Sequence, residues 1–126
     1  MTGVLVDTSV WVRHFREGSD ALVGLLSEDR VLSHPLVLGE IACGTPPERK
    51  RTLADLSALQ SAQQPTLPEV IDFIERESLH GLGCGIVDLV LLASTLMTPD
   101  AELWTLDKRL SMLAARFSIQ HRSGED

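Results

Sequence analysis

The sequence predicts an α/β domain with a mainly parallel central sheet. Short apolar, β-branched runs alternate with longer amphipathic segments along the chain, and this order is typical of strands connected by helices. Neither an internal repeat nor a linker divides the sequence. Its 126 residues suit one hydrophobic core, and we therefore expect a single domain over residues 1–126.

The first third of the chain predicts two strands, each followed by helix. Residues 4–6 form an apolar run that stops at Asp7, and apolar positions between 10 and 16 recur at helical spacing. A second helix is expected over residues 19–28, and residues 31–33 predict a short strand. Strand and helix thus alternate from the start.

The rest of the chain continues this alternation. Apolar residues 35–44 and polar residues around 49–51 predict two helices, separated by a proline-containing break. The remaining predicted elements are a helix from Pro68, a helix over 86–97, a strand over 103–106 that ends at Asp107, a helix over 110–117 and an edge strand over 118–120. Three glycines between 81 and 85 separate two of these helices.

The composition argues against a membrane protein and, at first, against a nucleic-acid partner. No apolar run reaches the roughly 18 residues of a membrane span, and no signal sequence opens the chain, so we expect a cytoplasmic protein without a membrane partner. The net charge of −7 argues against nucleic acid as a partner. This objection weakens if several acids gather around a cation, because the cation would then meet the phosphate.

Two acidic residues follow predicted strands directly. Asp7 and Asp107 each come after an apolar run, and in open α/β sheets the functional crevice lies at the carboxyl ends of the strands. Either residue could equally be a cap for the helix that follows it. Position alone does not decide between these roles.

Two further acids stand alone within apolar segments. Glu40 is the single charge in residues 36–43, and Asp88 is the single charge in residues 86–92. We expect both faces to be buried. A buried carboxylate must be protonated, paired with a cationic side chain or bound to a metal, and neither segment contains a basic residue.

The types of residue present favour Mg²⁺ or Mn²⁺ over zinc, because no His or Cys pair has metal-ligand spacing. An ion held by carboxylates activates water and neutralises charge on a phosphoryl oxygen, which suits phosphodiester hydrolysis. The four histidines form no recognisable triad. For general base catalysis we therefore expect a metal-bound water oriented by Glu40 rather than a histidine.

Four motifs in order carry a resemblance to a known family. They are Val6-Asp7-Thr8-Ser9-Val10-Trp11, Leu38-Gly39-Glu40-Ile41, Gly85-Ile86-Val87-Asp88-Leu89 and Thr105-Leu106-Asp107-Lys108-Arg109-Leu110. Over essentially its whole length the chain resembles the PIN domain, and within that family the VapC-type toxins of bacterial toxin–antitoxin pairs. The resemblance implies a three-layer α/β/α fold around the parallel sheet.

The resemblance also implies a site and an activity. Asp7, Glu40, Asp88 and Asp107 would form the catalytic site, with Asp7, Asp88 and Asp107 as metal ligands. Thr8, Ser9 and Thr105 would be supporting hydroxyls. The implied activity is Mg²⁺- or Mn²⁺-dependent endonucleolytic cleavage of RNA by a homodimeric toxin, which a cognate VapB-type antitoxin neutralises.

Several basic residues are candidates for contacting the RNA backbone. Arg49, Lys50 and Arg51 form a cationic run, while Arg13 and Lys108 lie nearer to the acids in sequence. The alternative is that the run is only a solvated helix face. Trp11 and Trp104 could stack on bases, but at these positions core packing is the expected role.

Two other functions remain open from the sequence. A phosphoacceptor receiver domain is also a small α/β protein with acids at strand ends, although it would place paired acids after the first strand. A catalytically silent PIN-like interaction module would keep the fold without the activity. The full set of four acids favours the nuclease over both.

Overall fold

In the computed structural model, residues 2–124 are described. They contain three strands and seven helices, with two helices between the first and second strands and four between the second and third. The strands are β1 (Gly3–Val6), β2 (Val31–Leu32) and β3 (Ala101–Trp104); the helices are α1 (Thr8–Glu17), α2 (Asp20–Ser27), α3 (Pro35–Ala42), α4 (Arg49–Ser57), α5 (Leu67–Glu77), α6 (Ile86–Met97) and α7 (Lys108–Arg116). Within this part of the chain, no helix is both long and apolar enough to cross a membrane.

The three strands form one parallel sheet in the order β2-β1-β3. The central strand β1 is apolar because both of its faces are covered, as buried parallel strands usually are. Its residue Val6 lies opposite Trp104 of β3. Asp7 and Thr105, the next residue along each strand, therefore emerge side by side at the carboxyl edge of the sheet.

Helices flank this sheet, and the predicted α/β/α arrangement is confirmed. Trp104 is fully buried and Trp11 nearly so, which confirms the predicted core role of both tryptophans. Helix α6 contributes much of the core, with an unbroken buried segment from residue 91 to residue 95. Asp88, the acid in its first turn, is therefore attached to a firmly packed helix.

The third strand and the end of the chain differ from the prediction. β3 ends at Trp104, not at Leu106, so Asp107 does not follow the strand directly. The reason is local: the backbone N–H of Asp107 donates to the Thr105 hydroxyl, at 3.1 Å, and this bond turns the chain into α7. The predicted edge strand over residues 118–120 is reduced to a single bridge between Leu103 and Gln120.

Candidate active site

Asp7 is buried and held by two hydroxyl groups. The hydroxyls of Ser9 and Thr105 donate to its Oδ2 at 2.7 and 2.8 Å. Although Asp7 directly precedes α1, its side chain accepts no capping hydrogen bond from that helix. The helix-cap alternative therefore does not hold for Asp7, whose carboxylate is positioned by side chains instead.

The same two hydroxyls join the ends of the neighbouring strands. Ser9 accepts a hydrogen bond from the backbone N–H of Leu106 at 3.0 Å, and Thr105 accepts one from Asp107 at 3.1 Å. A backbone N–H can only donate, so each hydroxyl accepts in these bonds while it donates its own proton to Asp7. The bond from Leu106 to Ser9 thereby fixes the loop after β3 to the start of α1.

Glu40 is exposed, so the prediction that it is buried was wrong. Helix α3 buries only Val37 and Ile41, which lie one turn apart and form a narrow stripe. The apolar neighbours that suggested burial include Leu36, which is itself 37% exposed. The carboxylate of Glu40 accepts a hydrogen bond from the Thr8 hydroxyl at 2.6 Å, which brings it to the start of α1.

Asp88 is half-buried in the first turn of α6. Its pKa is raised above the ordinary value, mainly by burial and then by the negative charge of Asp7, with smaller contributions from Asp107 and Glu40; a backbone hydrogen bond from Gly85 acts in the opposite direction. The charges of all three other acids therefore reach Asp88. The fold brings the four carboxylates into one electrostatic neighbourhood.

Asp107 is exposed and serves as the N-cap of α7. Its Oδ1 accepts a hydrogen bond from the backbone N–H of Leu110 at 2.9 Å. The helix-cap alternative thus holds for Asp107. Its negative charge also contributes to the raised pKa of Asp88, so Asp107 lies within electrostatic reach of that acid. The two roles are compatible, because a cap uses only one of the carboxylate oxygens.

The donor set at this site fits a hard divalent cation. Carboxylates and hydroxyls predominate, and none of the four acids forms an ion pair with another residue in the range 2–124. The neighbouring Cys84 has a raised pKa, chiefly because of burial and then because of Asp88 and Asp107, so its thiol is a poor metal ligand. No three acidic, His or Cys side chains among the described residues already stand in a metal-binding geometry.

The basic residues predicted to contact RNA lie in two places. Arg49 donates to the backbone oxygens of Ala42 and Gly44, at 2.6 and 3.2 Å, and so closes the end of α3. Lys50 and Arg51 are exposed on α4. Two other basic residues, Arg13 and Lys108, line a groove that also includes Thr105.

The glycine-containing loop before α6 carries a contact that the sequence did not predict. Gly83 has a φ of +88°, and a Cβ atom there would come within 2.5 Å of the Arg109 guanidinium. The Arg109 side chain therefore covers this part of the loop. No local sequence signal indicates the contact, because it joins positions 26 residues apart.

The fold and the acids together define a class. A parallel sheet with carboxylates gathered at its carboxyl edge suits a metal-dependent hydrolase of phosphodiesters. The PIN domain family model matches residues 4–116, and the chain belongs to the PIN domain family. This membership excludes the receiver-domain alternative and confirms the resemblance seen in the motifs.

Within that family the similarity extends to VapC proteins. The chain is 40% identical over 116 residues to Ribonuclease VapC32 of Mycobacterium tuberculosis, in both strain CDC 1551 / Oshkosh and strain H37Rv, covering 92% of this chain and 94% of that protein. The structure of VapBC-1 from nontypeable Haemophilus influenzae is similar with a TM-score of 0.69 and 13% identity, covering 97% of this chain and 98% of that one. At this identity the structural likeness concerns the fold.

Proposed function

We propose that this chain is a Mg²⁺-dependent endoribonuclease, also able to use Mn²⁺, that hydrolyses RNA phosphodiester bonds as the toxin of a toxin–antitoxin pair. The observation that carries the proposal is the gathering of four acids around the carboxyl edge of the sheet. Ser9 and Thr105 fix Asp7 there, and Thr8 joins Glu40 to the start of α1. Besides burial, the charges of Asp7, Asp107 and Glu40 raise the pKa of Asp88. Four carboxylates that repel one another and have no basic partner among the described residues would be stabilised by a bound cation. The name and the coverage of the VapC32 relative support the choice of RNA.

The four acids take different parts in this proposal. Asp7, Asp88 and Asp107 hold the metal, which supplies charge neutralisation at the phosphoryl group and a more acidic water. Ser9 and Thr105 donate to Oδ2 of Asp7, and no described hydrogen bond uses Oδ1, which leaves that oxygen for the cation.

Glu40 is the remaining acid and the one that orients the attacking water. It is exposed, so solvent reaches it, and Thr8 holds one of its oxygens. Its place is on α3, opposite the strand ends that carry Asp7. A carboxylate that is fixed through one oxygen can accept a proton from water with the other.

The proposal includes partners and a location. We infer a cognate VapB-type antitoxin, a homodimer and a cytoplasmic location for this single domain of residues 1–126. The support is the likeness to the VapC32 relative together with the fold shared with the VapBC-1 structure. The residues that we propose to contact the RNA are Arg13, Arg49, Lys50, Arg51 and Lys108. Arg49 would do so only through the guanidinium N–H groups that do not close the end of α3.

The direct test is cleavage of a total bacterial RNA pool by the purified, antitoxin-free chain. Wild type is compared with Asp88→Asn in Mg²⁺, in Mn²⁺ and in EDTA, and the cut sites are read by end mapping. We expect discrete cuts that need metal, and a loss of at least about 100-fold in Asp88→Asn, since even residues that only support metal ligands cost 10- to 100-fold.

The matched control is Asp72→Asn, an exposed acid on α5. It removes the same charge from the chain, and we expect its cleavage to equal that of the wild type. If the folded wild type binds the metal but cuts no RNA, the silent-module alternative replaces the nuclease. If Asp88→Asn cuts normally, the acid site as assigned is wrong.

A further inference from the structure

A groove lies beside the acid site, between α1, the start of α7 and residues 120–124. Its volume is about 890 Å³, larger than the 440 Å³ of the pocket between α1 and α3. We call it the α7 groove, and its principal lining residues are Arg13, Thr105, Lys108, Met112, His121 and Arg122. Its size is that of a binding pocket for a small organic ligand or for one to two nucleotides.

The described lining of the α7 groove is basic, whereas the chain has a net charge of −7. Among residues 2–124, the lining includes Arg13, Lys108 and Arg122 and no aspartate or glutamate. Lys108 and Arg122 are both exposed, so their ammonium and guanidinium groups can reach an anion. His121 adds little, because its Nδ1 already lies 3.0 Å from the carboxylate of Glu102.

The groove is continuous with the acid site. Thr105 lines the groove, and its hydroxyl lies 2.8 Å from Oδ2 of Asp7. Lys108 directly follows Asp107 at the start of α7. A polyanion whose scissile group lies at the acids would therefore have its next charged groups beside Lys108.

The groove also has an apolar wall. Met112 is 72% exposed, the largest exposed fraction of any large hydrophobic side chain among the described residues. Leu106 lies on the same wall. A ligand with alternating anionic and flat apolar parts, such as single-stranded RNA, matches a lining of cations and apolar side chains.

We propose that the α7 groove binds the single-stranded RNA segment that flanks the cut site, with Lys108 and Arg122 contacting phosphates and Met112 contacting a base. The proposal rests on the proposed function, because the acid site defines where the cut lies. A duplex is disfavoured, because its stacked and paired bases would not present a free face to Met112.

The test measures RNA binding separately from cleavage. Binding of a fluorescein-labelled single-stranded RNA of mixed sequence and about 12 nucleotides is measured with Asp88→Asn protein, which does not cut. Into this background we introduce Lys108→Gln and Arg122→Gln together. We expect roughly tenfold weaker binding at low salt, and a plot of log affinity against log salt that is shallower by about 1.4, or 0.7 per phosphate contact.

The matched control is the pair Arg76→Gln and Arg116→Gln. Both residues are exposed and lie outside the groove, and their substitution removes the same two positive charges. We expect the slope of this control to equal that of the parent. In active protein, we expect the groove pair to raise KM with kcat within about twofold, since uniform binding is what is removed.

The outcomes separate the two proposals. If the active chain cuts RNA but the groove pair leaves affinity, salt slope and KM unchanged, the groove proposal is overturned and the nuclease stands. If no RNA is cut but the groove pair still weakens binding and lowers the slope, the groove stands and the nuclease fails. If the groove pair abolishes binding to an acidic protein partner and leaves RNA affinity intact, the groove is a protein interface and the proposal is wrong.

Discussion

The acid site has two halves that are positioned in different ways. In the strand half, Asp7 is buried and fixed by Ser9 and Thr105, which belong to the site itself. In the helical half, Glu40 and Asp88 are placed by α3 and α6. The hydrogen bond that connects those two helices joins His34 and Ser94 and involves neither acid. The first half is organised by contacts with the carboxylate, and the second by helix packing.

The joint between the two helices is a buried histidine. His34 precedes α3, where its Nδ1 accepts a hydrogen bond from the backbone N–H of Leu36 at 3.0 Å. Its Nε2 lies 3.0 Å from the hydroxyl of Ser94 on α6. Because Nδ1 accepts, the neutral ring must carry its proton on Nε2 and donate it to Ser94. The helical half therefore depends on one neutral imidazole ring, whereas the strand half depends on two hydroxyls.

The largest effect is expected in the strand half, from Ser9→Ala combined with Thr105→Val. This change leaves a buried carboxylate without its two donors and removes the acceptors for two backbone amides. We expect a loss of about 2–4 kcal/mol in the free energy of unfolding and a fall of 10- to 100-fold in cleavage. Urea unfolding and the RNA assay measure the two quantities.

A matched control is Ser57→Ala, which removes an exposed hydroxyl that donates to the backbone of its own helix. Its unfolding free energy should stay within about 0.5 kcal/mol of the wild type. A double variant as stable as this control would show that the hydroxyls do not hold Asp7, and the contrast between the two halves would disappear.

The next effect concerns metal and Asp88. In EDTA, we expect Asp88→Asn to be at least as stable as the wild type, because burial and the neighbouring acids disfavour the charge that it removes. With Mg²⁺ at ten times its Kd, the wild type should gain about 1.4 kcal/mol, and Asp88→Asn much less. Thermal unfolding with and without the ion measures both.

Asp72→Asn again serves as the control, and its response to Mg²⁺ should equal that of the wild type. A wild type whose unfolding temperature ignores both Mg²⁺ and Mn²⁺ would contradict the metal assignment. An Asp88→Asn variant that gains as much as the wild type would place the ion elsewhere.

A smaller effect is expected from pH acting on His34. Burial lowers its pKa below the ordinary 6.5, so the unfolded chain takes up a proton first as pH falls. Stability is therefore lost as pH falls from about 6.5 through the lower pKa of the folded state. Protonation of Nδ1 removes the cap of α3, and caps contribute about 0.5–2 kcal/mol.

The measurement is urea unfolding in EDTA at pH values from about 7.5 to about 5, the range in which histidine titrates. We expect His34→Asn, which keeps a neutral cap, to show a flatter dependence than the wild type. His80→Asn, at an exposed position, should keep the wild-type dependence. If the unfolding free energies of all three proteins depend on pH in the same way, His34 does not stabilise the helical half as proposed.

Much of the fold could be predicted because its signals are local. A fully covered parallel strand is apolar throughout, so residues 4–6 identified β1 without knowledge of its neighbours. The residue after such a strand lies at the carboxyl edge of the sheet, and this rule placed Asp7 there. The four motifs added the order of the acids, and the family match covers the same residues.

The parts that could not be predicted depend on contacts between distant positions. Glu40 was expected to be buried because its neighbours are apolar, but several of those neighbours are exposed on a short helix with one narrow buried stripe. The α7 groove joins Arg13, Lys108 and Arg122, which no periodicity relates. Sequence patterns report the period of one element, whereas these features arise from how elements meet.

The smallest effect is expected from Thr8→Val, in the helical half. The hydrogen bond from Thr8 to Glu40 is exposed, so its loss should cost about 0.5 kcal/mol or less. We expect cleavage within about threefold of the wild type, because α3 still holds Glu40 near the site.

Glu40→Gln, which keeps the hydrogen bond to Thr8 but removes the charge, should lower cleavage more while metal affinity stays unchanged. Cleavage rates for the two variants, measured side by side, decide how far the halves differ. If Thr8→Val lowers the rate as much as Glu40→Gln, Glu40 depends on a hydroxyl as Asp7 does, and the helical half is organised in the same way as the strand half.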